Sequence, residues 1–163
     1  MKTTTYEIVA TKEVEFDIAE VTILSVDEAS RLKPEQLQTG DYWWLRQQNP
    51  DPNWVFAVDP HGNIERSTQK RYNGVRPVMK LTNIKGLVCG DKFVAGLEHW
   101  TMLSDDLALC DREVGKCFFR ASGGAYKTGT WYEKSDLKRW LENWALEKGI
   151  YTTAQLGQMQ GRA

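Results

Sequence analysis

YWWLRQQNPDPNWVFAVDPHGNIERSTQKRYNGVRPVMKL, residues 42–81, is the stretch whose reading decides the fold. Tyr42-Trp43-Trp44-Leu45-Arg46 reads as an aromatic strand. Adjacent side chains of a strand point to opposite faces, so one of Trp43 and Trp44 is core. The other is either covered by a helix or exposed to bind. Pro50 and Pro52 make 47–53 a loop, and Trp54 to Val58 resumes the sheet. Asp59-Pro60-His61-Gly62-Asn63 has turn chemistry: Pro presets φ and Gly supplies the left-handed position. Ile64 and Glu65 begin the return strand. Gly74 to Leu81 is read as a further strand, with Pro77 marking an edge or a bulge.

Working outward, residues 5–9 and 13–24 alternate as strands, with a change of phase near Ala19 that implies a bulge. Ser25 and Glu28 form a capping box for a short helix from Val26 to about Leu32, which stops before Pro34. Residues 82–90 read as a connector. Lys92–Ala95, Glu98–Leu103 and Leu107–Cys110 read as three short strands. Residues 121–130 are a glycine-rich loop. Ser135 caps a long helix, 136–148, whose stripe is Leu137, Trp140, Leu141, Trp144 and Ala145, and Gly149 ends it. Residues 151–163 form a polar tail. The class is α+β, an antiparallel sheet system joining the strands at 42–46, 54–58, 75–81 and 98–103, with one long and one short helix.

The 163 residues suit one domain, and 41% hydrophobic content supplies its core. Twenty-one basic residues stand against 22 acidic ones, a net charge of -1. Arg66, Lys70, Arg71, Arg76 and Lys80 form only a short interrupted run, read as a solvated flank, so nucleic acid is not an expected partner. Cys89, Cys110 and Cys117 offer no close pair, and His61 and His99 are far apart, so no metal site is expected. Asn49, Asp51 and Asn53 supply too few carboxylates for calcium. The amino-terminal residues lack an apolar signal core, and no run is long enough to span a bilayer. The expected location is a reducing compartment without membrane association, unless the chain leaves inside a particle or by lysis.

VTILSVDEASRL, YWWLR, NWVFAVDPHGNI and GVRPVMKL resemble the C-terminal half of a bacterial and phage domain family with a WWLR…GVRP signature. GDKFVAGLEHWTMLSDDLALCD and YEKSDLKRWLENW resemble that family's opening hairpin and helix. The resemblance implies a C-type-lectin-like fold, here circularly permuted: one domain over 1–150, its halves 1–82 and 84–150 in inverted order. The fold closes by pairing first and last strands, so a short connector at 82–90 would suffice. Two half-domains completing each other across a homo-oligomer stay open as an alternative.

No GxSxG, HExxH, phosphate loop or dinucleotide turn is present, so no catalytic residue or cofactor is assigned. The expectation is a recognition module of phage or prophage origin. Its partner would be a host or phage protein, or a glycan, met on a virion or as an inhibitor of a host defence protein. The alternative is a small enzyme using Glu98 and His99, or a cysteine. Arg46 and Arg76 are read as structural. The expected working face is the 47–54 loop, through Gln48, Asn49, Asp51, Asn53 and Trp54, with the 123–131 loop, through Tyr126 and Trp131. The basic stretch Arg66–Arg76 is the fallback.

Overall fold

The computed structural model describes residues 3–7, 13–46, 55–68, 70–119 and 132–151. The fold is α+β and mostly antiparallel, with the described strands in two sheets. The chain divides into two compact units. One comprises 1–22, 77–112 and 141–163; the other comprises 23–76 and 113–140.

The first unit holds a six-stranded sheet. Its strands are β1 (Thr3–Glu7), β2 (Glu13–Thr22), β7 (Val78–Lys85), β8 (Lys92–Ala95), β9 (Glu98–Met102) and β10 (Leu107–Cys110). Their order is β1-β2-β7-β10-β9-β8, and the edge strands β1 and β8 come into contact as the sheet curls. The phase change near Ala19 is real: the β2–β7 register slips between Ile18 and Glu20, and again between Glu15 and Asp17. Phe16 meets Phe93 edge-on at 5.2 Å, and Trp100 lies 6.5 Å from Trp144. All four are buried, which makes them the centre of this core.

The second unit holds a five-stranded sheet of β3 (Trp43–Leu45), β4 (Val55–Val58), β5 (Ile64–Ser67), β6 (Tyr72–Val75) and β11 (Gly115–Phe118). The order is β11-β6-β3-β4-β5, antiparallel except for β3 against β6. The strand read through Gly74–Leu81 is therefore two strands in different sheets. Arg76-Pro77 separates them, because Pro has no N–H to continue a ladder. For the same reason the strands at 42–46, 54–58, 75–81 and 98–103 do not share one sheet: 98–103 and 78–81 lie in the first, the others in the second.

Helix α1 (Val26–Ser30) starts on the capping box as expected: the Glu28 amide donates to Ser25 Oγ at 3.0 Å, and the Ser25 amide to Glu28 Oε1 at 2.9 Å. A further short helix, α2 (Pro34–Leu37), follows with Pro34 in its first turn, where a missing N–H costs nothing. Helix α3 (Asp136–Glu147) is capped by Ser135 Oγ, which accepts from the Lys138 amide. It ends as Gly149 turns to φ +73°, with the Ile150 amide donating back to the Ala145 carbonyl. Leu137, Leu141, Trp144 and Ala145 are buried as the stripe requires, but Trp140 is only half-buried. Its ring lies on Gly115, where a Cβ would come within 2.6 Å of it.

Two connections differ from expectation. The 82–90 connector is shorter, since β7 runs on to Lys85. Strands β7 and β8 are also not neighbours: β10 and β9 stand between them, so the pairing assumed for the closure is not made. Tyr151, first residue of the polar tail, is buried, and its hydroxyl accepts from the Val21 amide.

Candidate interaction surface

The YWWLR stretch and the Gly74-Val75 end of GVRP meet in the five-stranded sheet. The Gly74 amide donates to the Tyr42 carbonyl at 2.8 Å, and Gly74 pairs in register with Trp43. Arg76 lies over the Trp43 ring, 5.1 Å from its centroid, and its Nη1 donates to the carbonyls of Gln36 (3.0 Å) and Leu37 (3.4 Å). Trp43 Nε1 donates to Leu37 O as well. Both tryptophans are fully buried: the end of α2 covers Trp43, and Trp44 Nε1 donates to the Cys117 carbonyl at 2.8 Å. Arg46 donates to Ile23 O and to Glu28, tying β3 to the start of α1. Both arginines therefore act as structural forks.

Strand β11 is the sheet's edge and pairs with β6 through Lys116↔Gly74 and Phe118↔Tyr72. By the two-residue alternation of strands, Tyr72, Lys116 and Phe118 share one face, while Asn73 and Cys117 are buried on the other. Tyr72 is 60% exposed and Phe118 39% exposed, with their rings 5.2 Å apart. Apolar rings of this size are normally withdrawn from water, so a pair left out together is informative. Arg71 stands over the Tyr42 ring at 4.4 Å.

Charge around the pair is fixed by position. Lys116 Nζ lies 2.6 Å from Asp41 Oδ2, which holds the Asp41 carboxyl below its ordinary range and raises the Lys116 ammonium. Glu113 folds over Gly74, where any Cβ would collide with its carboxylate, and accepts from Thr39 Oγ1 at 2.8 Å. Burial pushes the Glu113 carboxyl upward against that hydrogen bond.

Gln48, Asn49, Asp51, Asn53, Trp54, Tyr126 and Trp131 lie outside the described residues. Sequence reasoning missed β11 because GKCFF is short and lacks a turn signal before it. The alternation Lys116-Cys117-Phe118 was the available clue.

The candidate acid–base pair does not converge. Glu98 is buried and bound by both Nε and Nη2 of Arg112, whereas His99, its neighbour in β9, is exposed on the opposite face. Cys110 and Cys117 are buried, and burial pushes the Cys117 thiol up to about 12. Cys89 is exposed, its thiol donating to Leu103 O. Among the described residues, no group of three or more His, Cys, Asp or Glu side chains converges as a metal site, and no helix is long and apolar enough to cross a membrane. Comparison with protein-family profiles, curated proteins and solved structures finds no match.

Proposed function

We propose that this chain is a non-catalytic recognition module that binds a protein partner through the Tyr72–Phe118 face, with the segments 47–54 and 123–131, expected from sequence to be loops, as further contact residues. The observation that carries the reading is the exposed aromatic pair on an otherwise well-packed sheet. Tyrosine is enriched at interface hot spots because it buries a large area with only two side-chain torsions, and arginine because its planar guanidinium offers several directed donors. The backing is rigid, since Trp44 pins Cys117 and Gly74 is locked to Tyr42, so little ordering entropy is lost on binding.

The WWLR…GVRP resemblance supports a permuted C-type-lectin-like domain of phage or prophage origin, acting on a virion or against a host defence protein. In this reading the signature residues hold the scaffold and the edge strand with its loops supplies the specificity.

The test is a pull-down from bacterial host lysate, with the virion proteome measured in parallel. A Tyr72→Ser/Phe118→Ser variant should keep its melting temperature within a few degrees and lose the partner captured by the wild type. A Trp54→Ala/Asp51→Ala variant should lose it too. Undiminished capture by the Tyr72→Ser/Phe118→Ser variant sinks the reading.

A further inference from the structure

We infer that the Tyr72–Phe118 face takes an acidic polypeptide segment presenting an aromatic or aliphatic side chain between its carboxylates. This rests on the reading of that face as the recognition surface and adds the chemistry of what it recognises.

The apolar requirement comes from the ring pair. Two exposed rings 5.2 Å apart on adjacent strands offer a contact that one aromatic or branched aliphatic side chain can cover. The acidic requirement comes from the rim. Lys70 and Arg71 are exposed immediately before Tyr72, and Lys116 lies two residues before Phe118 on the same face. Of the nearby carboxylates, Asp41 is engaged by Lys116 and Glu113 is folded inward over Gly74, toward Thr39. The rim is thus positive although the whole chain carries a net charge of -1. Arg71 is already stacked on Tyr42, which holds its guanidinium plane while leaving edge N–H groups able to chelate a carboxylate.

The number of charges selects the class of partner. Polynucleotide binding draws its affinity from many phosphates along a continuous basic stripe. Three cations, one of them shared with an aspartate, match the few carboxylates of a short peptide segment instead. Edge strand β11 suits an extended partner, whose alternate side chains would meet the rings and the rim.

The experiment pans the full chain against a displayed library of random peptides. Enriched sequences should place Asp or Glu on both sides of an aromatic or aliphatic residue. A synthetic copy of the best one should bind at least tenfold more weakly to Tyr72→Ser and to Arg71→Glu. The second variant alters an exposed side chain and so leaves the sheet intact. Replacing the peptide's acids by amides should cost a similar factor. Enriched peptides without acids that still depend on Tyr72 overturn this inference and leave the recognition reading standing. Peptides that bind independently of Tyr72, Phe118 and Arg71 overturn both. Displacement of the peptide by labelled oligothymidylate at equal concentration also overturns the inference, in favour of a nucleic-acid surface.

Discussion

Arg76 has the residue type of a ligand-binding group and the surroundings of a structural one. It is buried, stacked on Trp43, and donates to two carbonyls at the end of α2. Arg76→Ala leaves those carbonyls without their charged donor, and should cost about 2–3 kcal/mol in chemical denaturation. Glu113 gives a pH signature. Its folded-state carboxyl is raised by burial, so the stability it contributes is complete below the unfolded value and is lost as pH rises through the folded one. Glu113→Gln should therefore gain on the wild type as pH rises from 4 to 7, read as a widening gap in denaturation midpoint. Asp41 has the opposite sign, lowered by Lys116: its contribution is lost as pH falls through its depressed folded value. The cysteines offer a simpler check. A thiol reagent at pH 8 should titrate Cys89 quickly, and reach Cys110 and Cys117 only in denaturant.

At the scale of elements, the caps are local and the packing is not. Ser25 bonds an amide three residues on, so Ser25→Ala should cost about 1 kcal/mol in denaturation experiments. The stripe of α3 follows from its 3.6-residue period, yet the period does not say which member is deepest. Leu141 is wholly buried, whereas Trp140, packed against Gly115, keeps part of its surface in water. Leu141→Ala should cost about 2–5 kcal/mol. Trp140→Ala, despite the larger side chain, should cost less, about 1–2 kcal/mol, because part of its area already meets water. Equal costs for the two would refute this ordering.

Across the whole molecule, each compact unit draws segments from both halves of the chain. The six-stranded sheet needs β2 and β7 as well as β8 to β10, and the five-stranded sheet needs β11 beside β6. Fragments 1–82 and 84–163 expressed alone should therefore lack dispersed amide spectra, and co-expression should restore them. A well-folded isolated fragment would contradict this dependence.

The sequence by itself determined what short-range physics controls. The Ser25–Glu28 box, the bulge near Ala19, the Asp59–Asn63 turn and the α3 boundaries depend on residues a few positions apart. They appear where the sequence places them, with the Asp59 carboxylate accepting from the amides of His61 and Asn63. Opposed faces for Trp43 and Trp44 also follow from the strand period. Tertiary structure decided that α2 covers Trp43 and that Arg76-Pro77 passes the chain from one sheet to the other. It also decided that Phe118 emerges beside Tyr72. That pairing joins residues 46 positions apart in sequence, through a register that hydrogen bonds between β6 and β11 set. An alternating strand shows which residues share a face, but not whether that face is covered. For Tyr72 and Phe118, that is the difference between core and interaction surface.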